Sequence, residues 1–200
     1  MINKRLIPVL LLRNNGLVKT LKFNNSVYIG DPINAVKIFN EKLVDELIFL
    51  DIDATKENRK PNINLIHEIA TECFMPFSYG GGINNLDDIS DIIKAGAEKV
   101  IINEAALSND KLIREASIKF GSSTIIVSID VKTPFFSNSP CVYSNNGKRC
   151  WKINPVDHAR NMEQKGAGEI FINSIFGFKF VSKGLGIGLC KNGLITLLRP

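Results

Sequence analysis

The chain has 200 residues, 44% hydrophobic and 22% charged, with a net charge of +5. This balance suits one globular domain with a sizeable core and excludes a disordered or fibrous chain. No apolar run approaches the ~20 residues of a membrane helix, and the N-terminus MINKRLIPVLLLRNNG carries no small-residue cleavage site. Lysines and arginines are dispersed singly among acids, without the basic blocks of nucleic-acid binders. We therefore expect a cytoplasmic protein with no membrane or nucleic-acid partner and an anionic small ligand. Four cysteines without a C-x-x-C pair and only two histidines point to no metal and no cofactor, the thiols being buried or incidental.

In chain order, short apolar runs recur at Leu6 to Leu12, Leu47 to Leu50, Pro76 to Tyr79, Val100 to Ile102, Ile125 to Ile129 and Ile170 to Ile172. Each is too short for a helix and continuous enough for a strand buried on both faces. Helical patterns lie between them. DPINAVKIFNEK sets Ile33, Val36 and Phe39 at helical spacing behind a capping Asp31, and NINLIHEIATE repeats Ile63, Ile66 and Ile69. NLDDISDIIKAG carries Leu86, Ile89 and Ile92 and ends in Gly96, and NDKLIREASIKFG ends in Gly121. Strand and helix in alternation predict a parallel sheet. His67, beside the apolar stripe of its helix, reads as structural.

Residues 32–52, PINAVKIFNEKLVDELIFLDI, align without gaps on residues 155–175, PVDHARNMEQKGAGEIFINSI, matching Pro32 to Pro155, Lys42 to Lys165, Glu46 to Glu169 and Ile52 to Ile175. A half-unit of four strands and four helices used twice gives eight strands, the number that closes a parallel barrel. The run PFSYGGGINN sets three glycines, Gly80 to Gly82, at the end of the third strand. Such a run marks unusual backbone geometry or a close approach to something bound.

The segments KRLIPVLL, GLVKT, DELIFLDI, YGGGI, KVIIN, VSIDVK and GAGEIFINSI, taken in order from Lys4 to Ile175, resemble the HisF family, the cyclase subunit of imidazole glycerol phosphate synthase. The resemblance implies a (β/α)8 TIM barrel and a lyase-type cyclase of histidine biosynthesis that receives ammonia from a glutaminase subunit. Its chemistry would lie at the C-terminal strand ends, with the ammonia entrance at the opposite end. By the same resemblance, Asp130 and Lys19 are catalytic, and Gly81, Gly82, Asn103, Asp51 and Ser174 bind substrate and its phosphates. Arg5, Glu46, Lys99 and Glu169 form the ammonia gate, and Glu98 faces the glutaminase. Asp53 adds acidity at the mouth.

Three features depart from the family. Leu11 stands where the other catalytic aspartate is expected, and an aliphatic side chain moves no proton. Glu104 follows Asn103 where a hydroxyl-bearing residue is usual, placing a carboxylate near a phosphate site. IPVLLLRNNGLVKT and GDPINAVKIFNEK look more like a paralogue associated with sugar amidation in surface polysaccharide synthesis, which implies a separate sugar amidotransferase as a further partner and a phosphorylated or sugar substrate. The alternatives are a genuine cyclase subunit and, from another class, a non-catalytic docking or ammonia-channel module. After Ile175 the chain reads FGFKFVSKGLGIGLCKNGLITLLRP in place of a phosphate loop. GLGIG lacks the preceding strand of a dinucleotide motif. We read residues 1–175 as a barrel truncated after its sixth strand, with two uncovered edges and a tendency to aggregate, and residues 176–200 as a divergent tail from truncation or a frameshift.

Overall fold

The computed structural model describes residues 5–21, 24–109, 111–134, 139–175 and 196–198. The chain divides into two compact units, Met1–Ile101 and Ile102–Pro200.

In the first unit, β1 (Val9–Arg13), β2 (Gly16–Leu21) and β3 (Asn24–Gly30) precede α1 (Pro32–Lys42), β4 (Leu47–Asp51), α2 (Ile63–Glu72), β5 (Phe77–Gly80), α3 (Leu86–Lys94) and β6, which starts at Lys99. β1 pairs in parallel with β4, β4 with β5, and β5 with β6. Every residue of β5 and β6 is buried, as the continuous apolar runs predict for strands covered on both faces. The helices bury one stripe each: Leu65, Ile66 and Ile69 from α2, and Asp88, Ile89 and Ile92 from α3. Their caps follow from sequence. Asp31 accepts from the Asn34 amide at 3.0 Å, Asn62 from Leu65 at 3.2 Å, and Asn85 from Asp87 and Asp88 at 3.0 and 2.9 Å.

The second unit holds α4 (Glu104–Ser108), α5 (Lys111–Phe120), β7 (Ile125–Lys132), β8 (Cys141–Ser144), β9 (Arg149–Cys150), α6 (Pro155–Gln164), β10 (Glu169–Ser174) and β11 (Thr196–Leu198). β10 runs parallel to β7, from the Glu169–Ile126 pair to the Ser174–Val131 pair. The internal repeat is a structural one. α1–β4 and α6–β10 both open with proline at the first helical turn behind a capping side chain, Asp31 or Asn154. Both pass through a positive-φ residue, Leu43 (φ 52°) or Gly166 (φ 98°), before a buried glutamate, Glu46 or Glu169, that leads the chain into the strand.

Four sequence readings change. β1 starts at Val9, because the Leu6 backbone is engaged by Asp45: its amide donates to the Asp45 carboxylate at 2.6 Å, and its carbonyl accepts from the Asp45 amide at 3.2 Å. The first loop is a β-hairpin, β2–β3, whose outer strand exposes Val27, Tyr28 and Ile29. That strand has no buried face to generate an alternating pattern. His67 is exposed on α2, off the buried stripe. The edges expected to be bare carry antiparallel partners: β2 pairs with β1 over Leu11 to Arg13, and β11 with β10 over Ile170 to Ile172. The GLGIG segment lies outside the described residues.

Candidate active site

In the second unit polar side chains gather at Asp130, near the end of β7. Parallel pairing sets Asn173 of β10 opposite it. The Asn173 side-chain amide donates to one carboxylate oxygen at 3.1 Å, and the Asn103 amide donates to the other at 3.3 Å while also reaching the Ser128 carbonyl at 3.1 Å. Burial raises the Asp130 pKa to about 7, and the bonds from Asn173 and then Asn103 oppose that rise. A carboxyl held near neutrality is suited to both giving and taking a proton at physiological pH. The sequence singles out Asp130 and Asn103 but not Asn173, which sits beside Ser174 at the strand end and is legible only from the register.

Glu104 opens α4 and turns towards Arg149, 3.9 Å away. The Arg149 guanidinium lies 4.0 Å from the centre of the Trp151 ring, whose N–H donates to the buried Ser144 hydroxyl at 2.9 Å. The carboxylate that sequence sets beside a phosphate position thus has a cation partner within its own unit.

In the first unit, the expected gate residues Arg5, Glu46 and Lys99 meet. Glu46, just before β4, accepts from Lys99 at the start of β6 at 3.1 and 3.2 Å and is also paired with Arg5. The Glu46 and Lys99 side chains are each 9% exposed, so this is a buried charge cluster rather than solvated strand ends. Glu169, the fourth, is buried at the start of β10 in the other unit. Glu98 is exposed and donates its amide to the Phe77 carbonyl at 3.0 Å.

At the other ends of these strands the aspartates are neutralised, and the acidic mouth expected from sequence is balanced by arginines that sequence reading passed over. Asp51 takes two bonds from Arg59, at 3.1 and 3.3 Å, and the amides of Asp53 and Ala54 at 3.2 and 3.0 Å. Both Asp53 carboxylate oxygens accept from one edge of the Arg13 guanidinium, Nε and Nη2, while Nη1 donates to Ser26 of β3. Leu11, half-buried, is paired between Val18 of β2 and Leu50 of β4. Lys19 is exposed on β2, opposite Val27.

The glycine run has a local cause here. A Cβ on Gly81 would lie 2.4 Å from the Asp51 carbonyl, and one on Gly82 would lie 2.4 Å from the Arg59 carbonyl. Their φ values, 120° and 73°, also favour glycine. The Gly82 amide donates to Thr55 at 3.3 Å. The run therefore lets the turn after β5 pack on the end of β4 and the loop that follows it, where Asp51 and Arg59 lie.

Parallel strands alternating with helices define an α/β protein, of the TIM-barrel type by its family. The family model described as "Histidine biosynthesis protein" matches residues 5–177, and the chain belongs to that family. Over 192 residues it is 50% identical to the "Putative imidazole glycerol phosphate synthase subunit hisF2" of Pseudomonas aeruginosa, covering 96% of this chain and 76% of that protein. It is 39% identical to the imidazole glycerol phosphate synthase subunit HisF of Petrotoga mobilis over 191 residues, 96% of this chain and 75% of the relative. A third relative, subunit HisF of Staphylococcus carnosus, is 40% identical over 175 residues, 88% of this chain and 69% of the relative.

Proposed function

We propose that this chain is a HisF-type subunit that receives ammonia from a glutaminase and delivers it to a phosphorylated or sugar acceptor, with an altered acceptor chemistry of the sugar-amidation kind. The observation that carries this reading is the pairing of one retained and one missing proton carrier. Asp130 is buried, tuned by two amide donors and ready for acid–base work, whereas the β1 position holds Leu11 between two further aliphatic side chains. Ring closure of an imidazole precursor needs protons moved at both ends of the forming ring, and one end has no group to move them. Arg5, Glu46 and Lys99 would line the ammonia entrance, and Glu98 would face the glutaminase. Asp130 would act as acid and base, Lys19 would hold substrate, and Gly81, Gly82, Asn103, Asp51 and Ser174 would contact it.

The test is ammonium-driven cyclisation of the imidazole precursor. The wild-type chain should turn over poorly, and Leu11→Asp should raise the rate by roughly 10²-fold, the worth of a restored acid–base group. Wild-type turnover equal to that of a HisF subunit from histidine biosynthesis would refute the altered-acceptor reading. The separate amidotransferase is tested by ammonia incorporation into a sugar acceptor with and without that enzyme.

A further inference from the structure

The β8–β9 ribbon sets two thiols side by side. β8 pairs antiparallel with β7, placing Tyr143 opposite Asp130 and Cys141 opposite Lys132. β9 pairs antiparallel with β8, placing Cys150 opposite Tyr143. Residues directly opposite one another, and residues two apart along a strand, share a face of the sheet. Asp130, Lys132, Cys141, Tyr143 and Cys150 therefore share one face, and the Lys132 ammonium 5.3 Å from the centre of the Tyr143 ring is a contact on it. Val142, between Cys141 and Tyr143, is bonded through its amide to the Ile153 carbonyl and through its carbonyl to the Trp151 amide, both at 3.0 Å. This main-chain pattern puts the facing pair Tyr143 and Cys150 at an intervening position of the ladder, where side chains approach most closely, with Cys141 the diagonal neighbour of Cys150 on the same face. The Cys150 thiol lies near enough to the Cys141 thiol and the Tyr143 hydroxyl to raise the pKa of each. Cys150 is exposed and Cys141 half-buried, so one thiol is open to solvent and the other waits behind it.

We infer that Cys141 and Cys150 form a reversible dithiol–disulfide site on the face of the second unit that carries Asp130. The oxidant is a low-molecular-weight disulfide. The exposed Cys150 loses its proton, and its thiolate attacks one sulfur of the oxidant. The S–S bond of the oxidant breaks and one thiol leaves, giving a mixed disulfide on Cys150. Cys141, deprotonated in turn, attacks the Cys150 sulfur and expels the second thiol. The protein gives up two protons and two electrons, and the oxidant becomes two thiols. Burial and the neighbouring Cys150 raise the Cys141 pKa, which makes Cys141 the resolving partner rather than the first attacker. In a reducing compartment such a pair cycles rather than serving as a permanent staple. The cross-link ties β8 to β9 and takes away the thiol that faces Tyr143, the residue opposite Asp130.

Trp151, the single tryptophan of the chain and the neighbour of Cys150, gives an optical reporter. The 200-residue protein is incubated with oxidised glutathione, alkylated, digested and analysed by mass spectrometry, with tryptophan emission followed in parallel. A Cys141–Cys150 linked peptide pair is expected, with two of the four thiols lost and emission that falls on oxidation and recovers with dithiothreitol. Cys150→Ser should abolish the link and the emission change, and Cys141→Ser should leave a persistent glutathione adduct on Cys150. Stable glutathione adducts on both residues of the wild-type protein, two thiols that stay unmodified, or a link to Cys73 or Cys190 instead would each overturn the inference. The wild-type mass spectrum decides this even where a serine variant fails to fold.

Discussion

Lys99→Met isolates the buried charge cluster at the strand starts. The side chain keeps nearly the same length, so packing in β6 is preserved while two bonds to Glu46, at 3.1 and 3.2 Å, are lost. Stranding a fully unpaired charge in a protein interior costs roughly 3–5 kcal/mol. Glu46 is not fully stranded, because Arg5 remains beside it. The loss should then fall near the range of a charged hydrogen bond, about 2–3 kcal/mol. Urea unfolding reads this as a lower midpoint at unchanged slope. Adding Glu46→Leu removes the stranded carboxylate and should recover most of the loss. It takes one partner from Arg5, 25% exposed and within reach of water, at a cost of no more than about 1 kcal/mol. A single-mutant loss below about 0.5 kcal/mol, or a double mutant that sums the two single losses, would refute the reasoning and make the cluster an ordinary surface network. With a glutaminase present, Lys99→Met should also reduce glutamine-driven turnover more than ammonium-driven turnover. Equal loss from both nitrogen sources would point to unfolding instead of an entrance.

Asp130 makes stability depend on pH with a defined sign. Its pKa rises from 3.8 to about 7 on folding, so between these values the folded chain holds a proton that the unfolded chain has released. The contribution is fully present below about pH 4 and is lost as pH rises through 7; Asp130→Asn should flatten this part of the urea-midpoint profile, and an unchanged profile would contradict the assignment. Asn173→Ala removes a bond that favours the ionised carboxylate and should push the Asp130 pKa further up, seen by carbon NMR titration of the carboxyl; a downward move would show that another group sets it. Gly82→Ala drives a methyl to within 2.4 Å of the Arg59 carbonyl at φ 73° and should destabilise by more than about 1 kcal/mol, while a neutral result would mean that the loop after β4 yields freely.

The elements of this protein were legible where local chemistry and burial agree. Runs such as Leu47 to Phe49 and Val100 to Ile102 are buried throughout in β4 and β6, and Asp31, Asn62 and Asn85 cap helices because their short oxygens reach the first free amides. The 32–52 and 155–175 repeat was readable because each copy solves the same problem of turning a helix back into a buried strand that begins at a glutamate. The β2–β3 hairpin left no such trace, since Val27, Tyr28 and Ile29 face solvent and carry no period.

The candidate site was legible one residue at a time. Asp130, Leu11 and Glu104 could be singled out as present, missing or out of place. What surrounds them depends on register and on long side chains crossing between elements, and no spacing along the chain encodes either. Asn173 lies 43 residues from Asp130, Arg13 40 from Asp53, and Lys99 53 from Glu46. Parallel pairing alone brings Asn173 to Asp130, and the reach of an arginine alone turns an apparently acidic mouth into a balanced one. Sequence determined which chemical groups the chain owns and which strands and helices carry them. Tertiary structure decided which of those charges meet, because a carboxylate's pKa and partners are set by atoms within a few ångströms in space, however far along the chain they lie.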